Sequence, residues 1–265
     1  MSYFKKLLNN KLIIILLFFI LSLSIISSII TIYQNQNIFK NFLIKTQSEQ
    51  NKKDEEDKIR LIINNIIKGK YILFFRHTHR ERWQDVQTYD SLENNKMLQG
   101  ESQEFKNAVC LSDKGKIHAK TIGIIMRDTN IPFSEVISSS SCRARQTAKF
   151  MFGKIDKINS NFMHYGPFNE KKVDYEKKLK KELKLLKMSK NKNIFISGHN
   201  STITPNIFDV IKIADSDYSL DEGRFFVIEK KNDQLILVHK FINFQAFNKL
   251  NVKRKIYKKI INNQN

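Results

Sequence analysis

Lys70-Tyr-Ile-Leu-Phe-Phe75-Arg76-His77 decides the reading of this chain. The apolar run Tyr71–Phe75 is bounded by polar residues, as an interior strand is, and two side chains able to engage an anion emerge where it ends. In open α/β sheets ligand chemistry collects at the carboxyl ends of such strands. Two further segments repeat the design. Ser134-Glu-Val-Ile-Ser138 reads as a short strand, and Ser139-Ser-Ser-Cys-Arg143-Ala-Arg145-Gln-Thr-Ala148 turns from it into a helix with Arg143 near its start. Asn193-Ile-Phe-Ile-Ser197 empties into Gly198-His199-Asn200-Ser201, with Ser201 expected to cap a following helix. Three strand ends therefore offer Arg-His, Arg and His.

Together with Leu111-Ser-Asp-Lys-Gly115-Lys-Ile-His-Ala119, these motifs resemble the histidine phosphatase superfamily, the phosphoglycerate-mutase-like enzymes, in the family's chain order over roughly residues 70 to 240. The resemblance implies a three-layer α/β/α sandwich with a mostly parallel central sheet and phosphoryl transfer through a phosphohistidine. One departure is visible. Thr78 stands where the family usually has glycine, and its side chain can either crowd a phosphate or turn away from it.

The residue chemistry points the same way. Phosphoryl transfer is mostly positioning and electrostatic stabilisation, which calls for fixed cations around one nucleophile. Arginine's planar fork bonds two phosphate oxygens and stays charged, so Arg76 and Arg143 form the expected clamp. His77 is the expected nucleophile, kept unprotonated by nearby arginines, and His199 the donor to a phosphoryl oxygen. In related enzymes the acid for the leaving oxygen is a carboxylate between the second arginine segment and the second histidine. Glu170 in His164-Tyr-Gly-Pro-Phe-Asn-Glu170 is the choice, with Asp174 and Glu176 nearby. Asn200 follows the second histidine, so the His-Asp acid of the acid-phosphatase branch is absent. Thr78, Arg80, Arg82 and Asn200 complete the expected substrate contacts. No cofactor or metal is expected.

Two other readings compete. A non-catalytic phosphate- or anion-binding module would keep the arginines while Thr78 or a missing acid blocks turnover. A metal-dependent hydrolase would use the pair His77-Thr78-His79, but of the six histidines only His199 lies at a later strand end. His118 falls on the apolar-periodic helix Ile117–Arg127 and reads as structural, and His164 and His239 have weaker cases still.

Between His79 and Cys110 lies a long charged insertion with the only tryptophan, Trp83, read as a loop at the mouth of the site that selects substrate. Cys110 and Cys142 each adjoin a motif. They either pair, if their Cα atoms lie within about 7 Å, or remain buried thiols.

At the other end, Leu12 to Tyr33 carries no charge and is long enough, at ~1.5 Å per residue, to cross a ~30 Å hydrocarbon layer. Residues 1–33 thus read as an uncleaved membrane anchor rather than a removed signal. Lys5, Lys6 and Lys11 before it, against Lys40 and Lys45 beyond, lean toward a cytoplasmic N-terminus with the following domain on the periplasmic or extracytoplasmic side. A polar spacer, 34–58, precedes an α/β domain over 59–246, which opens with Ile59, Ile62, Ile63, Ile66 and Ile67 at helical spacing, stopping at Gly69. Residues 247–265 form a basic tail. The net charge of +20 is spread along the whole chain, so nucleic acid is not the expected partner. Only Lys249 to Lys259 is concentrated enough for lipid headgroups or a polyanion, against a solvated helix. The expected substrate is a phosphorylated small molecule or a surface-linked phosphoester.

Overall fold

The computed structural model describes residues 2–81, 89, 93, 103–164, 171–200, 202–213, 218–241 and 244–249; side chains are not described at 2–17, 20, 28–32 and 35. The chain divides into two units, Met1–Lys58 and Ile59–Asn265.

The first helix, α1, runs Ser2–Lys68. Its length has a simple cause: neither glycine nor proline occurs before Gly69, so nothing in the backbone interrupts the i to i−4 ladder. The segment 34–58, expected as a spacer, is helical, and its described side chains are exposed. The expected membrane helix over 12–33 lies within α1, yet among the described residues no helix is long and apolar enough to cross a membrane. The structure thus gives the anchor no support, because the apolar side chains that would make it are largely outside those described.

In the second unit, the end of α1 buries Ile62, Ile63 and Ile66. Gly69 then takes φ +86°, a left-handed conformation that stops the helix, and donates its N–H to the Ile66 carbonyl. The chain enters β1 (Tyr71–Arg76) and continues through α2 (Gln103–Val109), α3 (Asp113–Asp128), β2 (Phe133–Ser138), α4 (Cys142–Phe152), β3 (Lys157–Ile158) and α5 (Lys172–Leu185). It ends in β4 (Asn193–Gly198), β5 (Val210–Ile211), β6 (Phe225–Lys231) and β7 (Gln234–Phe241).

The seven strands form one mixed sheet in the order β3-β2-β4-β1-β6-β7-β5. Four neighbouring pairs are parallel, β2 with β3 and with β4, β4 with β1, and β5 with β7; β1/β6 and β6/β7 are antiparallel. The last pair closes through Asn232 and Asp233, whose φ of 49° and 60° make the two-residue turn that suits a hairpin.

Both faces of the sheet are covered. Alternation along β1 sends Leu73 and Phe75 to one core, with the end of α1 and helices α3 and α4, and Ile72 and Phe74 to the other, with α5. Phe75 stacks on Phe225 with ring centroids 4.4 Å apart. The buried side chain of Asn193 ties three elements at the far end of the sheet. Its amide donates to the carbonyls of Ile66 and Pro132, and its oxygen accepts from the Tyr71 N–H. The helix expected after His199 is not there: Ser201 lies outside the described residues, and Pro205–Ile207 makes only a 3-10 turn. Pro205 is the reason, since it disfavours helix in the residue before it.

Candidate active site

Strand order builds the site. β4 lies between β1 and β2, parallel to both, so all three carboxyl ends open at one edge. Register brings Arg76 beside Gly198 and Ser138 beside Ser197. Beyond the paired residues the backbones stay joined, for the His77 N–H donates to the Gly198 carbonyl and the Ser139 N–H to the Ser197 carbonyl. His77 and His199 are consequently neighbours, with ring centroids 5.4 Å apart and both rings nearly fully buried.

His77 Nδ1 lies 2.8 Å from the Thr78 carbonyl oxygen. A carbonyl only accepts, so Nδ1 carries the proton and Nε2 presents its lone pair. Burial first, then the charges of Arg143, Arg76 and Arg80, push the imidazole's pKa well below its usual value, against the Thr78 hydrogen bond. The result is a neutral ring with one fixed tautomer, the form a nitrogen nucleophile requires.

His199 Nε2 lies 2.8 Å from Ser139 Oγ and 3.2 Å from Ser141 Oγ. Ser141 caps α4 by accepting the Ala144 N–H, which leaves its own proton for the ring. Nδ1 is buried without a hydrogen-bond partner among the described residues. Such a buried polar atom calls for a partner. Burial and then the charge of Arg143 also hold His199 well below its ordinary pKa.

Arg143, at the start of α4, is 1% exposed. Arg76 donates to the Leu220 carbonyl and lies 3.8 Å from Glu222, so the turn before β6 holds that guanidinium in place. Arg80 is half-buried and acts on both imidazoles through its charge.

Several expected contacts are placed differently. The Thr78 hydroxyl donates to the Gly115 carbonyl and its N–H donates to Thr147 Oγ1, so the residue joins β1's end to α3 and α4, and its donors are spent on the scaffold rather than on a ligand. Asn200 likewise uses its side-chain oxygen to accept the Leu220 N–H. His79 turns its Nδ1 to Ser112 Oγ, 2.7 Å away, while His77 turns to Thr78. The two rings of the His-Thr-His triplet are thus committed separately, and among the described residues no cluster of three or more His, Cys, Asp or Glu side chains is placed to hold a metal. Glu170 and Arg82 lie outside the described residues. Of the nearby carboxylates, Glu176 accepts from Thr204 and Asn206 and steadies the segment after His199, and Asp174 sits 3.9 Å from Lys177.

Two site residues were passed over in the sequence. The His164 ring lies 5.0 Å from that of His199. Glu93, inside the insertion, accepts the Cys142 N–H and faces Arg143 Nη1 at 3.7 Å. Neither has a local signal; His164 carried only the hint of beginning the run that ends at Glu170.

Contacts among the motifs tie the segments of the site together. Leu111 N–H donates to Gln146 Oε1, and a disulfide joins Cys110 to Cys142, whose Cα atoms are 4.8 Å apart. Gly115 approaches His79 so closely that a Cβ there would lie 2.0 Å from the His79 carbonyl oxygen.

No family model matches the chain and no curated protein matches it. Solved structures do. The protein histidine phosphatase SixA complexed with tungstate is 10% identical, with 65% of this chain and 96% of that one covered and a TM-score of 0.43. A mutant phosphoserine phosphatase from Entamoeba histolytica in complex with phosphoserine is 13% identical, with coverages of 66% and 98% and a TM-score of 0.44. A mycobacterial glucosyl-3-phosphoglycerate phosphatase is 10% identical, with coverages of 66% and 98% and a TM-score of 0.43. By its four motifs in order, and by the paired histidines and buried arginine they build at adjacent strand ends, the chain resembles the histidine phosphatase superfamily.

Proposed function

We propose that this protein is a metal-independent phosphatase that hydrolyses a phosphomonoester through a phosphohistidine on His77. The observation that carries the reading is the His77 tautomer: the Thr78 carbonyl accepts a hydrogen bond from Nδ1–H and leaves Nε2 as an unprotonated nucleophile, beside the unpartnered Nδ1 of His199 and near the charges of Arg143 and Arg76. His77 Nε2 attacks phosphorus and the bond to the ester oxygen breaks, with Glu170 giving that oxygen its proton. Water then attacks the phosphohistidine, the N–P bond breaks, and phosphate leaves. Arg76, Arg143 and the His199 N–H stabilise charge on the equatorial oxygens in both steps.

The uncharged run from Leu12 to Tyr33 supports an anchored protein with its catalytic unit on the extracytoplasmic side, acting on a phosphorylated small molecule or a surface-linked phosphoester. The disulfide between Cys110 and Cys142 fits that compartment.

The test is phosphate release by the full chain from a panel of phosphoesters with EDTA present, wild type against His77→Ala. Turnover that withstands chelation and vanishes in the variant is expected. A folded wild type that binds phosphate without turnover would replace this reading with a non-catalytic anion-binding module.

A further inference from the structure

We propose that Glu93 is a positioning residue for the arginine clamp, an inference that rests on the phosphatase reading. Its carboxylate has two partners on the first residues of α4: one oxygen accepts the Cys142 N–H, and the other lies 3.7 Å from Arg143 Nη1. Both side chains are withdrawn from solvent, Glu93 at 10% exposure and Arg143 at 1%.

A guanidinium this deeply buried is unstable without a counter-charge. Bound phosphate would supply one during turnover, and Glu93 supplies one independently of ligand. The carboxylate engages the fork at Nη1, and the planar guanidinium carries five N–H donors in all. Because the same carboxylate is tied to the backbone of the adjacent residue, it fixes the guanidinium relative to α4 and not merely its charge.

The surroundings are built to hold it. Tyr89, four residues earlier, packs on Phe105 with ring centroids 6.1 Å apart, in a small core with Ala108, Val109 and both cysteines. The Cys110–Cys142 disulfide fastens that core to the residue whose N–H Glu93 accepts. The insertion therefore reaches the catalytic centre through Glu93, a role beyond substrate selection.

The experiment compares the full-length wild type with Glu93→Gln, which keeps an acceptor for the Cys142 N–H but removes the charge, and with Glu93→Asp, which keeps the charge. Steady-state hydrolysis of p-nitrophenyl phosphate and inhibition by vanadate are measured for each. The expected result for Glu93→Gln is a kcat lower by about 10- to 100-fold, as for a misplacement of about 1 Å, with weaker vanadate inhibition and little change in KM. Glu93→Asp recovers part of that loss, which a purely structural role would not predict. A Gln variant that turns over at or above the wild-type rate, or alters KM alone, overturns the inference while leaving the phosphatase reading intact. A wild type that neither releases phosphate nor binds vanadate overturns both.

Discussion

Replacing Gly115 with alanine pits two effects of known size against each other. Gly115 sits in the first turn of α3, where Gly→Ala would ordinarily stabilise by about 1 kcal/mol. Here the new Cβ would lie 2.0 Å from the His79 carbonyl oxygen and 2.9 Å from its carbon. Separations under 3.0 Å are not sustained against backbone, so the segment carrying His79 must retreat by roughly 1 Å. Overpacking of that kind costs about 1–3 kcal/mol, and the bond from Thr78 Oγ1 to the Gly115 carbonyl, 2.9 Å in the native protein, adds about 1 kcal/mol if broken. The net is a loss of about 1–3 kcal/mol, or roughly 3–10 °C in Tm for a unit of this size. Activity falls further than stability. The displaced residue is two positions from His77, and about 1 Å at a reacting centre costs up to ~10²-fold. Thermal unfolding followed by circular dichroism, beside p-nitrophenyl phosphate turnover, measures both quantities. A Gly115→Ala protein with an unchanged or higher Tm and full turnover would refute the reasoning, because it would mean that residues 78–80 move without consequence for the site.

Acid stability follows from the buried histidines. His77 and His199 are held neutral in the fold while the unfolded chain protonates near its usual value of about 6.5, so their contribution is full above that pH and is lost as pH falls below it. The loss approaches about 1.4 kcal/mol per pH unit for each group until the folded rings protonate, and urea midpoints from pH 8 to pH 5 should show it; a flat profile counts against neutral buried rings. If His77 is the nucleophile proposed above, turnover should likewise keep its acid limb below pH 6.5, since burial and the neighbouring arginines hold that ring neutral. The Cys110–Cys142 bridge spans 32 residues, so its reduction, or the double change to serine, should remove about 3–4 kcal/mol and lower turnover by loosening the residue before Arg143. Denaturation of reduced and oxidised protein measures the first effect, and equal stability would mean that the bridge does not form.

What could be read in the sequence was local. Apolar runs ending in Arg76-His77, Ser138-Ser139 and Gly198-His199 mark strands and their ends because side-chain alternation and punctuation are properties of short segments. The stop of α1 at Gly69 was legible for the same reason, as a backbone requirement carried by a single residue. Where local evidence misled, it was incompletely weighed: the segment 34–58 has no helix breaker and is helical, and Pro205 leaves only a 3-10 turn after His199.

Which strand ends meet was a question for topology, and it was settled by the insertion of β4 between β1 and β2. Only that arrangement sets the two imidazoles 5.4 Å apart, and the carbonyl that chooses the His77 tautomer belongs to the packed structure. It also commits the Thr78 hydroxyl to Gly115, a choice no local rule makes. Glu93 is the extreme case. Its partner Cys142 lies 49 residues away, and nothing around Tyr-Asp-Ser-Leu-Glu93 distinguishes that carboxylate from its neighbours. The sequence by itself determined the residue types, the strands and the helix starts that carry the chemistry, because those depend on interactions within a few residues. Distance, burial and proton placement were decided by the tertiary structure, because each depends on groups that only folding brings together.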